Sequence, residues 1–243
     1  MKVIRVKDYQ ELGKKAAAII IEHVKAKPDA VLGLATGSTP QTTYRELIRD
    51  HKENGTSYRQ VTTVNLDEYI GLSPEDPNSY HYFMKKELFE AIDIASENTH
   101  LPNGEAADLE AECRRYDDLI RSVGGIDLQL LGIGRNGHIG FNEPGTSFQT
   151  RTHVVELAED TRKANARFFP SLDAVPTSAI TMGIQNILES KRILLLASGP
   201  AKAEAMARLL NQREITEAFP ASCLHLHDDV TVIADEAALS LVD

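Results

Sequence analysis

Ala30-Val31-Leu32-Gly33-Leu34-Ala35 runs directly into Thr36-Gly37-Ser38-Thr39-Pro40, and the reading of this junction decides the fold. The apolar run is too short for an ordinary helix and lacks the polar alternation of a strand with one wet face, so it reads as a strand buried on both sides. A glycine, three hydroxyls and a proline then turn the chain into the helix-like stretch Gln41–His51, with Thr39 as the expected N-cap and Pro40 as the first helical residue. The same kind of run recurs at Val61–Leu66, Ile126–Ile133, Arg192–Ala197 and Val230–Ala234, and Lys2–Val6 is strand-like too. Helical spacing fills the intervals. Residues 8–26 place Leu12, Ala16, Ile19 and Ile20 on one face, and 79–91 and 105–121 repeat the pattern before Gly124-Gly125 stops the latter. A further helix is expected over roughly 201–211. Strand–helix alternation implies an α/β architecture: one doubly wound, mainly parallel, Rossmann-like sheet with helices on both faces.

No Pro/Gly/Ser linker, charge block or repeat divides the chain, which is expected to be a single domain over 1–243. Residues 143–180 are polar and irregular, with Pro144, Pro170 and Pro176 around a short helical stretch near 160–167, and read as a lid or insertion. With 42% hydrophobic and 26% charged residues in 243, the composition excludes disordered and fibrous classes. Acidic residues outnumber basic ones 36 to 26, a net charge of -10 that disfavours nucleic acid and anionic membrane as partners. No apolar run approaches the ~18 residues of a membrane span and Met1–Tyr9 has no signal-peptide core, so a cytoplasmic location is expected. Cys113 and Cys223 cannot make a disulfide framework and read as reduced, space-filling thiols.

Ligands of open α/β sheets gather at the carboxyl ends of strands. Thr36, Gly37, Ser38 and Thr39, at a helix N-terminus, suit a phosphate, although a plain capped turn fits the same residues and no Walker loop is present. Asp67-Glu68 follows the second run as either a proton-transferring carboxylate with a neighbour or a solvated turn. After the third run, Gly132, Gly134 and Gly137 mimic a dinucleotide fingerprint, with Glu156 at the distance of a ribose-binding acid. The third glycine must open a helix there, and Gly140, Pro144 and Gly145 forbid one. What remains is a flexible loop presenting His138, with Asn136 and Glu143 near enough in sequence to orient its imidazole. The fourth run ends at Ser198-Gly199-Pro200-Ala201-Lys202; Lys202, with Arg167 from the irregular segment, reads as an anion clamp or as two surface cations. His225 and His227 alternate as on a strand face, and with no third ligand at suitable spacing they read as structural, leaving no metal site expected.

Taken jointly, Leu34-Ala35-Thr36-Gly37-Ser38-Thr39-Pro40, Asn65-Leu66-Asp67-Glu68-Tyr69 and Gly137-His138-Ile139-Gly140-Phe141-Asn142-Glu143-Pro144 resemble the motifs of the glucosamine-6-phosphate deaminase family. Ala164-Asn165-Ala166-Arg167-Phe168-Phe169 and Ser198-Gly199-Pro200-Ala201-Lys202-Ala203 extend the resemblance over nearly the whole chain. The resemblance implies conversion of glucosamine 6-phosphate and water to fructose 6-phosphate and ammonia, without a cofactor. It implies Asp67 as the base shuttling a proton from C2 to C1, and His138 as the group that moves the ring-opening proton. Glu143 is then the main carboxylate partner of that imidazole. Thr36–Thr39, Arg167 and Lys202 would hold the 6-phosphate. Where many members resemble Asp-Gly-His, this chain has Asn136-Gly137-His138, and an amide orients the imidazole without supplying charge.

Two rivals share the fold. The 6-phosphogluconolactonases resemble Asp-Glu-Arg where this chain has Asp67-Glu68-Tyr69, and Phe141-Asn142-Glu143-Pro144 looks like the deaminases. Sugar-phosphate-sensing transcription regulators carry a helix-turn-helix arm, for which no stretch before Lys2–Val6 leaves room. Allosteric hexameric deaminases resemble this core plus a longer C-terminal segment than Asp235–Asp243, so the resemblance implies a non-cooperative monomer or small homo-oligomer here.

Overall fold

The computed structural model describes Met1–Asp243. In chain order its strands are β1 (Lys2–Val6), β2 (Val31–Leu34), β3 (Thr62–Asn65), β4 (Asp67–Tyr69), β5 (Thr99–His100), β6 (Leu128–Leu131), β7 (His153–Glu156), β8 (Ser178–Thr181), β9 (Ile193–Ala197) and β10 (Val230–Asp235). Its helices are α1 (Tyr9–Ala26), α2 (Gln41–Asn54), α3 (Tyr80–Glu87), α4 (Leu109–Ser122), α5 (Glu159–Asn165), α6 (Ile184–Leu188) and α7 (Ala203–Asn211). Seven strands form a parallel sheet in the order β1-β10-β9-β6-β2-β3-β5.

The uniformly apolar runs sort themselves by strand alternation. Leu32, Leu34, Leu128, Leu130, Leu194 and Leu196 face a layer containing Leu12, Ala16 and Ile20 of α1, Tyr44 and Leu47 of α2 and Met84 of α3. Val31, Leu131, Ile193, Leu195 and Val232 face Tyr116 and Ile120 of α4, Ile184 and Ile187 of α6 and Met206 and Leu209 of α7. Helices therefore cover both faces, as the sequence pattern implies, and Asp8 caps α1 through the Glu11 amide.

Four local expectations need correction. A second, three-stranded antiparallel sheet, β4-β8-β7, stands beside the main one. It draws β7 and β8 from the segment read as irregular, and turns Asp67–Tyr69 from the expected solvated turn into a buried strand. These strands were hidden because each is at most four residues long and mixes polar with apolar side chains. The N-cap of α2 is Pro40, not Thr39, and no side chain caps that end. His225 and His227 do not alternate on a strand. They close and follow the 3-10 turn Pro220–Leu226, and their Nε2 atoms approach the carbonyls of Leu209 and Ser190 separately.

The amino edge of the main sheet is tied by Asp127, which is 4% exposed. Its carboxylate accepts from the Val31 amide at 2.8 Å, Lys27 Nζ at 2.8 Å and Lys191 Nζ at 2.9 Å. Burial alone would raise its pKa, but these donors outweigh it and hold the group down at about 2. A folded-state pKa below the unfolded value contributes stability that is present above ~4 and lost as pH falls towards 2. Asp127→Asn is expected to destabilise the protein by about 1–3 kcal/mol at neutral pH. Denaturant titrations should show the gap from the parent closing below about pH 4.

Candidate active site

The carboxyl ends of β9, β6, β2 and β3 are neighbours along one edge of the main sheet, so the turns that follow them converge. After β2, Gly37 takes φ +91°, and the Tyr9 hydroxyl donates to the Ser38 carbonyl, pinning the turn. Because no side chain caps α2, amides of its first turn are left to point at a ligand. The turn Thr36–Thr39 and those amides form a surface to which an anion is chemically suited.

Asp67 opens β4 and is 7% exposed. Burial first, and the charge of Glu68 second, push its carboxyl up to about 8, with no protein donor to oppose them. The loop carrying His138 backs onto it: a Cβ built on Gly140 would lie 3.8 Å from Asp67 Oδ2. Tyr69, Tyr80 and Phe141 wall the neighbouring space with ring centroids 4.7–6.2 Å apart. Water is largely excluded around a carboxylate whose proton affinity is raised, a combination suited to moving a proton at carbon.

Asn136, His138 and Glu143 are brought together, but in an order the sequence reading did not foresee. His138 Nδ1 lies 2.8 Å from Asn136 Oδ1, whereas the Glu143 carboxylate is 3.8 Å away. Asn136 Nδ2 donates to Glu143 Oε2 at 2.9 Å, which fixes the amide orientation. The amide oxygen only accepts, so Nδ1 carries the proton and Nε2 is left as the free base. Asn136 is therefore the direct partner of the imidazole, and Glu143 acts from behind it. Burial lowers the His138 pKa and Lys202 adds to this, while Glu143 opposes both. The chain must be glycine at 134, where a Cβ would fall 2.1 Å from the imidazole.

Lys202, at the end of the 3-10 turn Pro200–Lys202, donates to the Ile133 carbonyl. Burial lowers its pKa and the charges acting on it, Arg135 and then Arg167, are both positive. An anion placed among them would relieve this repulsion. Arg167 follows α5, its guanidinium 4.6 Å above the Phe168 ring. The sequence reading missed Arg135, whose signal was a cation inside the glycine-rich loop. It also missed Thr161, whose hydroxyl donates to Glu143 Oε1 at 2.7 Å. The i, i+4 spacing of Thr161 and Asn165, which donates to the Tyr69 hydroxyl at 3.0 Å, was the available clue.

The sequence signature described as "Glucosamine-6-phosphate isomerases/6-phosphogluconolactonase" matches residues 7–233. The chain belongs to this family. Within the glucosamine-6-phosphate isomerase/6-phosphogluconolactonase family it is 65% identical to a glucosamine-6-phosphate deaminase of Geobacillus sp. (strain WCH70) over 242 residues, covering 100% of this chain and 96% of that one. A solved monomeric glucosamine-6-phosphate deaminase superposes with a TM-score of 0.98 at 62% identity, over 99% of this chain and 100% of that chain. The 6-phosphogluconolactonase of Trypanosoma brucei matches at TM-score 0.76 and 18% identity, over 100% of this chain and 98% of that chain, a likeness of fold alone.

The Asn136 geometry carries a measurable consequence within this family. Asn136→Asp would set two carboxylates about 2.9 Å apart beside His138. The added negative charge is expected to raise the imidazole pKa by about one unit. The titration of the His138 ring protons by NMR, in parent and variant, measures it.

Proposed function

We infer that this chain is a glucosamine-6-phosphate deaminase, converting D-glucosamine 6-phosphate and water to D-fructose 6-phosphate and ammonia. The single observation that carries the residue assignment is a buried carboxylate of raised proton affinity, Asp67, set against the loop of a histidine with a fixed tautomer. The 6-phosphate is assigned to the Thr36–Thr39 turn, with Arg167 and Lys202 neutralising its charge. The Nε2 atom of His138, unprotonated in the resting tautomer, takes the anomeric hydroxyl proton and delivers it to the ring oxygen, opening the pyranose to the aldehyde.

Asp67 then removes the C2 proton; the electron pair forms the C1–C2 double bond of an enolamine as the aldehyde oxygen takes a proton from the C2 ammonium, which becomes the neutral amine. Returning the proton to C1 yields the 2-ketimine. Both carbons present one face in the cis-enolamine, so a single carboxylate serves both transfers. Water adds to C2 and ammonia leaves, giving the ketone. C1 is reduced as C2 is oxidised, so the isomerisation is balanced within the substrate.

The substrate's C2 ammonium, placed beside Asp67, favours the carboxylate form. The acidic limb of kcat is therefore expected at lower pH than that of kcat/KM, because the former reports the bound and the latter the free enzyme. A monomeric, non-cooperative enzyme is the assembly we assign, supported by the similarity to a monomeric deaminase; light scattering and velocity curves with and without N-acetylglucosamine 6-phosphate test it.

The activity is tested by incubating the protein with glucosamine 6-phosphate and assaying both products, which are expected in equal amounts. Asp67→Asn should lower turnover by at least about a hundredfold. The same variant should be the more stable protein. A folded-state pKa of about 8, above the unfolded value, costs nothing below ~4, and the penalty grows as pH rises to 8. Thermal melts of parent and variant are expected to diverge over that window.

A further inference from the structure

Glu68 is a buried carboxylate adjoining Asp67, and the reaction above gives it no task. Its side chain is 1% exposed. Oε1 accepts from the amides of Tyr69 at 2.8 Å and Tyr80 at 3.0 Å; Oε2 accepts from the amide of His81 at 2.9 Å and faces its Nδ1 at 2.7 Å. An oxygen pair that only accepts is an ionised carboxylate, so His81 Nδ1 carries a proton. These contacts lock β4, which bears Asp67, to the first turn of α3, whose Ser79 cap is bonded separately to the Tyr82 amide.

All four contacts are donors, so the clamp uses both oxygens of the carboxylate, and an amide would turn an N–H group towards the His81 donors. The same negative charge stands next to Asp67, where it is electrostatically unfavourable. Strand alternation sends Glu68 to the face opposite Asp67, so it repels the neighbouring charge without occupying the cleft. The ionisable groups close enough to act electrostatically on Asp67 are Glu68 and Tyr69 from its own strand, Tyr80 from α3 and Tyr116 from α4. The flanking loop and β8 contribute Gly140 and Thr181, which carry no charge. None of these is a cation. Next to Glu68 stands His81, 27% exposed at its side chain, which carries positive charge when protonated. His81 also faces Glu112 of α4, a carboxylate held by Arg115 at 2.6 and 2.7 Å.

We propose that Glu68 and His81 are a positioning pair for Asp67: the carboxylate fixes its strand and strengthens it as a base, and the imidazole governs how much of that charge Asp67 feels. This rests on the assignment of Asp67 as the carbon base. A stronger base is better matched to a weakly acidic C–H bond. The pair thus trades a higher working pH for a faster proton transfer.

The test compares the full-length parent, Glu68→Gln and His81→Gln by kcat/KM against pH and by 13C NMR titration of the Asp67 carboxyl. The substrate's own ionisations are common to all three, so only relative shifts count. In Glu68→Gln the acidic limb and the Asp67 titration should move down by about half to one unit, with plateau kcat reduced severalfold. In His81→Gln, which keeps a donor to Glu68 but cannot be charged, both should move up by about a few tenths of a unit. Folded variants in which Asp67 titrates as in the parent overturn the proposal, whatever happens to kcat. Should Glu68→Gln fail to fold, His81→Gln decides alone, and an unshifted Asp67 there overturns it. A parent that releases no ammonia overturns the assigned function instead, and the NMR titration still reports on the pair.

Discussion

Asp67 is kept out of water with no protein donor and with a carboxylate at its side, and much of the site is arranged so that this unfavourable placement persists. Burial of an unpaired carboxylate is opposed by solvation, so a flexible loop would turn it outwards. It is instead built into a strand hydrogen-bonded to β8, which continues into the main sheet through the Met182 amide and the Leu66 carbonyl at 2.7 Å. The small antiparallel sheet is thus the device that holds Asp67, and the large parallel sheet supplies the edge against which it is held.

Asp67 and His138 are tuned by different means. Asp67 is made more basic by desolvation and like charge, whereas the neutral form of His138 is favoured by desolvation and a nearby cation. The two shifts run in opposite directions: Asp67 gains proton affinity, while the His138 imidazole is held in its neutral form, ready to accept a proton. The asparagine at 136 fits this scheme: it fixes the tautomer while leaving the negative charge one residue further back, on Glu143.

What the sequence disclosed followed from periodicity. Buried parallel strands are nearly continuous apolar runs, and β2, β3, β6, β9 and β10 each fall within one residue or a few of the stretch that announced them. Their carboxyl ends then marked where chemistry gathers, which is why Asp67, His138 and Lys202 were legible as candidates. The strands of the small sheet were not, because β4, β7 and β8 are short and mixed in polarity, and their pairing joins residue 67 to residue 181. Long-range pairing has no local signature. The same limit concealed the Glu143–Asn136–His138 order, since spacing along a loop gives proximity without direction, and the amide orientation is set by which neighbour donates and which accepts.

The segment read as a lid owes its position to polar bonds more than to burial. The helix α5 has no buried residue, yet Thr161 and Asn165 tie it to Glu143 and to Tyr69. Glu143 adjoins Asn136 and His138, and Tyr69 lies two residues along the strand from Asp67, while Arg167, immediately beyond the helix, acts on Lys202. Displacing α5 would therefore carry Arg167 away from Lys202 and break the bonds to Glu143 and Tyr69 in a single movement. Part-buried hydrogen bonds of this kind contribute only about 0.5–1.5 kcal/mol each. An anion bound between Arg167 and Lys202 would add charge-assisted contacts at the end of the same helix, an increment comparable to the bonds it would reinforce. Under the proposed assignment, α5 is the element that links the cations beside Lys202 to the contacts around Asp67 and His138.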